Sequence, residues 1–250
     1  MPVRSKKSKS PGQNMTAKQR KRRKPISEDY MLPIEPLTHN QRLFFDEWDK
    51  GQMIYAYGVA GTGKTFVALY KALKDVLNEY TPYEKIYIVR SLVSTREIGF
   101  LPGDHEDKSS LYQIPYKNMV QSMFEMPDDA SYDMLYENLK QQETISFWST
   151  SFIRGTTLDN AIVIIDECQN LNFHELDSII TRIGQDTKVV FCGDASQTDL
   201  TKISERSGIL DFQRILQNMD EFSLVEFDIE DIVRSGLVKS YLINKINLGL

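Results

Sequence analysis

The chain has 250 residues, 41% hydrophobic and 26% charged, with a formal net charge of -5. That length supports one substantial core with tails and excludes two full nucleotide-binding cores. No apolar run approaches the roughly 20 residues needed to cross a bilayer, and the basic start lacks a signal peptide's apolar stretch, which predicts a cytoplasmic protein with no membrane contact.

Residues 1–24 hold ten Lys and Arg and no acid. Few apolar residues, several Ser, and Pro2, Pro11 and Pro25 predict a basic arm over 1–36 that stays disordered alone, ahead of a folded domain over 37–250. A polycationic arm of this kind can contact nucleic-acid phosphate and release counterions, although a solvated tail has the same composition. Residues 1–24 contain no aromatic residue, so base stacking within them is not supported.

Beyond the arm, short apolar runs at 53–57, 85–89, 145–148, 161–165, 188–192 and 223–227 read as strands. Helical patterns at 64–77, 112–124, 132–141, 173–183 and 208–217 alternate with them. This order predicts an α/β fold with a mainly parallel sheet covered on both faces. The run Ile162, Val163, Ile164, Ile165 is apolar at consecutive positions, as a central strand buried on both faces requires. Cys168 and Cys192 close apolar runs without metal-ligand spacing and read as reduced structural thiols.

The strongest chemical signal is Gly58, Val59, Ala60, Gly61, Thr62, Gly63, Lys64, Thr65, a full match to the P-loop pattern G-x-x-x-x-G-K-[ST]. It follows a strand and opens a helix, so its backbone N–H groups can wrap a phosphate at the helix N-terminus. Lys64 is expected between the β- and γ-phosphates, and the Thr65 hydroxyl on Mg²⁺. Asp166 and Glu167 emerge at the carboxyl end of the 161–165 strand, where parallel sheets bind ligands. Asp166 is the expected magnesium carboxylate and Glu167 the base that orients the attacking water. Gln197, beyond the next strand in Gly193, Asp194, Ala195, Ser196, Gln197, is a candidate sensor of the γ-phosphate; a turn with Asp194 as a helix cap is the alternative.

Together these residues resemble PhoH-like proteins, which are similar to the first RecA-like core of superfamily 1 helicases. The resemblance runs from Leu37 to Leu242. It rests on Leu37-Thr38-His39-Asn40-Gln41, Ile98-Gly99-Phe100-Leu101-Pro102-Gly103-Asp104, Phe152-Ile153-Arg154-Gly155-Thr156-Thr157-Leu158, Asp166-Glu167-Cys168-Gln169, Gly193 to Leu200, and Asp231-Ile232-Val233-Arg234. It implies a single RecA-like P-loop NTPase core, ATP and Mg²⁺ as ligands, Gln41 reading the adenine edge, and Gln169 coupling the γ-phosphate to neighbouring elements. Ser91 after Arg90 departs from the Pro typical there, and Ser235 after Arg234 from the common His. The resemblance also implies homo-oligomers, with a hexameric ring as the expected form, and an association with phosphate starvation. The short length and basic arm would suit a phage-encoded member acting in the host cytoplasm.

Helicases of the similar superfamily clamp ATP between two cores, and one core here requires a second subunit for the missing face. Arg234 is the first candidate for an arginine finger supplied that way, with Arg154 and Arg182 behind it. Two roles compete. One is an ATP-driven remodeller of RNA or single-stranded nucleic acid, touching the strand with the arm and with 90–104, where Arg90 and Arg96 lie. The other is an ATP-binding switch with slow hydrolysis. A small-molecule kinase fits poorly, because no cluster of lid arginines follows the second carboxylate element.

Overall fold

The computed structural model describes residues 26–90, 105–153, 155–194 and 203–248. Within them, β1 (Met53–Gly58), β2 (Lys85–Arg90), β3 (Ile145–Ser149), β4 (Ala161–Asp166), β5 (Lys188–Gly193) and β6 (Phe222–Phe227) form one sheet in the order β3-β2-β4-β5-β1-β6. Every pairing is parallel. The expected strands are all present, each within a residue of its predicted ends.

The helices are α1 (His39–Asp49), α2 (Lys64–Leu77), α3 (His105–Gln121), α4 (Asp129–Gln141), α5 (Thr150–Ile153), α6 (Phe173–Ile180), α7 (Ile203–Leu216) and α8 (Gly236–Asn247). Helices α1 to α4 pack over one face of the sheet, against Ile54, Ile86, Ile162, Ile164 and Val190. Residues of α6 and α7 pack over the other, against Val163, Ile165, Val189 and Phe191. Side chains alternate across a strand, so β4 feeds both layers, and all six of its residues are buried. Each fully buried aliphatic side chain contributes about 1.5–3 kcal/mol relative to exposure.

The segment 26–36 corrects the expected boundary. It packs on the domain instead of belonging to the arm: Ile26 is buried, Met31 bridges Phe124, the Leu32 N–H donates to the Met123 carbonyl at 2.8 Å, and the Ile34 N–H donates to the Tyr70 hydroxyl at 3.1 Å. The physical reason is composition, since 26–36 contains no Lys or Arg and supplies apolar side chains that the core accepts. The rest of the arm, 1–25, lies outside the described residues.

Helices α1, α5 and α8 were not among the expected elements. Thr38 starts α1 by accepting the Gln41 N–H at 3.3 Å, and Phe44 and Trp48 are its buried apolar residues. Helix α8 buries none of its residues.

Candidate nucleotide-binding site

The P-loop runs from the carboxyl end of β1 into α2 with backbone that favours glycine. Gly58, Gly61 and Gly63 have φ of 109°, 77° and 85°. At Gly58 the close approach adds a second constraint, because a Cβ there would lie 2.1 Å from the Phe227 carbonyl oxygen of β6. Gly63 is the N-cap of α2 and brings no side-chain cap, which keeps the first turn's N–H groups clear of a competing side chain.

Lys64 folds back over its own loop. Its Nζ donates to the carbonyls of Gly58 (2.9 Å) and Val59 (2.7 Å) and to Thr62 Oγ1 (3.3 Å), and it lies 5.9 Å from the Phe227 ring centroid. Burial pushes the Lys64 ammonium below its usual range, while Asp194, Glu167 and Asp166 oppose that shift. To reach a phosphate, the ammonium must exchange loop carbonyls for phosphate oxygens. Thr62 is itself pinned, its hydroxyl donating to the Val59 carbonyl at 2.9 Å.

Asp166 ends β4, one strand removed from β1, with β5 between them. Its Oδ1 accepts from Thr65 Oγ1 at 2.7 Å and its Oδ2 from the Tyr116 hydroxyl at 2.5 Å. The donors brought together here are hard oxygens, one carboxylate and one hydroxyl. That set suits Mg²⁺, which takes one or two protein oxygens and completes its octahedron with waters and substrate phosphates. Among the described residues no cluster of three or more His, Cys, Asp or Glu could hold a metal by itself.

Glu167 follows in a left-handed conformation, φ 52° and ψ 43°. Such backbone is uncommon for a residue with a Cβ and turns the chain sharply out of the strand. Its Oε2 accepts from Gln169 Nε2 at 2.5 Å, and Gln169 Oε1 accepts the Asp194 N–H at 3.0 Å. Gln169, 1% exposed, therefore ties the tip of β4 to the tip of β5. Gly193 must be glycine for this bridge to fit, since a Cβ would lie 2.5 Å from Cys168 Sγ and 2.8 Å from Gln169 Oε1. Cys168 and Cys192 are free and buried, and burial pushes both thiols up, away from reactive thiolate.

These tips open on a cleft of about 260 Å³ that gathers Gly61, Lys64, Thr65, Asp166, Glu167 and Asp194. Ala60 and Gly63 also line it, while Val59 and Thr62 brace the loop through the contacts above. Gln41, 4% exposed, holds the loop from α1: its Nε2 donates to the Thr62 carbonyl at 2.9 Å and its Oε1 accepts the Leu37 N–H at 2.9 Å.

The fold places three arginines named from the sequence. Arg234, proposed to act from a second subunit, lies at the rim of its own chain's cleft, its Cγ 3.0 Å from where a Gly61 Cβ would be. The segment Asp228 to Arg234 is held there because Asp231 accepts from Asn40 Nδ2 at 2.7 Å and the Val233 N–H donates to the Gly61 carbonyl at 3.1 Å. Arg182 sits beyond α6, where its carbonyl accepts the Leu158 N–H ahead of β4, at the amino end of the sheet and remote from the P-loop. Arg90, expected on a nucleic-acid strand, ends β2 in register with Asp166 and lines the cleft. Burial works against its charge, but Tyr116, Asp166 and Glu167 outweigh it and push the guanidinium up. Gln197, Arg154, Arg96 and the 98–104 motif lie outside the described residues.

Tyr116 of α3 was missed altogether. It is 2% exposed, and burial followed by the adjacent Asp166 pushes its phenol far up, so it remains a neutral donor. Its helical spacing reads as ordinary core, and only the fold reveals that its hydroxyl reaches Asp166.

A glycine loop at a helix N-terminus, an ammonium, and a hydroxyl paired with a strand-end carboxylate define a P-loop nucleotide-binding α/β domain. A family model described as PhoH-like protein matches residues 33–244, and the chain belongs to that family. It is 34% identical over 210 residues to a PhoH-like protein of Bacillus subtilis, covering 82% of this chain and 61% of that one. It is 30% identical over 212 residues to Protein PhoH of Escherichia coli K12, covering 84% and 57%. The chain thus spans about three fifths of the length of these curated relatives. Among solved structures, the large terminase of a thermophilic bacteriophage is similar with a TM-score of 0.49 at 12% identity, over 83% of this chain and 50% of that one. Bacteroides Pif1 bound to ssDNA aligns with a TM-score of 0.40 at 17% identity, over 85% and 46%. Among the described residues no helix is long and apolar enough to cross a membrane.

Proposed function

We propose that this domain binds Mg-ATP and hydrolyses its γ-phosphate bond, and that it works as an assembled remodeller of RNA or single-stranded nucleic acid. The observation that carries the ATPase reading is the convergence of Lys64, the Thr65–Asp166 pair and Glu167 on one cleft. Backbone amides of 58–65 and the Lys64 ammonium meet the β- and γ-phosphates. Thr65 and Asp166 would hold magnesium, which when bound would supply charge neutralisation on the phosphates. Glu167, oriented by Gln169, takes the proton of the attacking water. Arg234 acts on the nucleotide of its own chain.

Gln41 is supported as the adenine reader by what its amide has left. One N–H and one lone pair are engaged, leaving one donor and one acceptor, the pair that bidentate contact with adenine N7 and N6 uses. The nucleic-acid role is supported by the polycationic arm; the ring of identical subunits is what the resemblance to PhoH-like proteins implies.

The test is calorimetric titration with Mg-ATP, followed by turnover against protein concentration with and without single-stranded RNA. Heat of binding, turnover that rises with assembly, and RNA stimulation lost on deleting residues 1–24 support the full reading. Binding with turnover indifferent to RNA leaves the slow ATP switch. No binding removes both.

A further inference from the structure

Asp166 is engaged on both carboxylate oxygens by groups from two different helices. Thr65 comes from the P-loop helix α2 and Tyr116 from α3, and each donates a hydroxyl proton. The Tyr116 ring has little freedom, being buried and packed against Phe147 with centroids 5.4 Å apart and planes at 57°. Arg90 lines the same cleft and lies opposite Asp166 on the neighbouring strand.

The proton inventory makes this contact directional. An ionised carboxylate only accepts. A phenol has one proton, and here it points at the Asp166 carboxylate. β2 and β4 are hydrogen-bonded neighbours with Arg90 opposite Asp166, so the sheet also places a cation beside this pair.

We propose that Tyr116 is a positioning residue for the magnesium site: it holds the plane of the Asp166 carboxylate so that Oδ1 faces Thr65. This rests on the reading of Asp166 and Thr65 as the magnesium ligands. Groups that orient a metal-binding side chain typically change metal affinity 10–100-fold when removed. The Tyr116–Asp166 bond also attaches α3 to the proposed metal carboxylate, giving any movement of that helix a direct effect on metal binding.

The experiment compares the wild-type chain, Tyr116→Phe and Phe147→Leu, measuring Mn²⁺ uptake by electron paramagnetic resonance in the presence of a non-hydrolysable ATP analogue. Analogue affinity in EDTA and melting temperature are measured alongside. Expected for Tyr116→Phe is about a tenfold weaker hold on Mn²⁺, with metal-free analogue affinity unchanged, a split that loosened packing would not produce. Phe147→Leu, which loosens the packing that holds the Tyr116 ring, should move Mn²⁺ affinity the same way by less. Wild-type Mn²⁺ affinity in a folded Tyr116→Phe overturns the role of Tyr116. Should Tyr116→Phe fail to fold, unchanged Mn²⁺ affinity in Phe147→Leu overturns it instead. Absence of Mn²⁺ uptake by the wild type removes the magnesium reading and this inference together.

Discussion

Gln169→Leu tests the bridge between the tips of β4 and β5. Leucine keeps roughly the volume of glutamine, so the change removes hydrogen bonds without opening a cavity. The Asp194 N–H, in a residue 8% exposed, loses the acceptor it holds at 3.0 Å. A buried donor deprived of its partner costs about 1–3 kcal/mol. Glu167 loses the Gln169 donor at 2.5 Å but is partly exposed and regains water, so about 1 kcal/mol is a fair addition. A total of about 2–4 kcal/mol in a domain of this size lowers the melting temperature by roughly 5–15 °C. Turnover should fall about 10–100-fold, because an unoriented base forfeits part of what general base catalysis supplies. Mg-nucleotide affinity should hold, since Lys64, Thr65 and Asp166 keep their contacts. Calorimetric melting and steady-state turnover read the two effects; a melting point within about 1 °C of wild type together with unchanged turnover would refute the bridge.

Glu167→Gln should retain Mg-ATP while turnover drops at least about 100-fold, and Lys64→Ala should lose binding and turnover together; equal turnover by Glu167→Gln sinks the base assignment. Mixing Arg234→Ala with Lys64→Ala should restore no activity, because each cleft carries its own Arg234; recovery in the mixture would return the arginine to a neighbouring subunit. Lys188, 4% exposed, donates to the Trp48 carbonyl at 2.8 Å, and burial lowers its pKa to about 8, with Asp75 opposing the shift. Between pH 8 and the unfolded value near 10.5 the unfolded chain binds more protons, so this group makes stability rise with pH. Urea denaturation at pH 7.5 and 9.5 should show a gain in wild type that is smaller in Lys188→Met by about 1–2 kcal/mol, and equal slopes would remove Lys188 as the cause.

The sheet was legible because its strands are short apolar runs separated by helices, and β4 shows its two-sided burial in four consecutive apolar residues. The P-loop and the Asp166-Glu167 pair were legible because the chemistry needs those residue types at strand ends. Helix α8 was not, since a helix that buries nothing carries no periodic apolar face. Helix α1 escaped because its apolar residues are interrupted by charge, and the boundary at Ile26 because charge in 1–24 masked the apolar residues beyond it. Tyr116 and Arg90 could not be assigned from sequence, as their meaning depends on β2 lying beside β4 and on α3 crossing above them. The placement of Arg234 at its own chain's cleft could not be read either, as it depends on the Asn40–Asp231 contact between segments about 190 residues apart.

A strand whose neighbours are greasy above and below loses the usual safeguard against slippage. In β4 a shift of one position would exchange Ile162 and Ile164 for Val163 and Ile165, one set of hydrocarbons for another, with no polar group driven inward to object. Alignment must then be enforced where the hydrocarbon stops. At the amino end Asn160 accepts the Glu84 N–H and donates to the Gln185 carbonyl; at the carboxyl end Asp166 is clasped by Thr65 and Tyr116. The reactive end of the strand thus also serves as its anchor, so replacing Asp166 would loosen the sheet's alignment as well as its chemistry.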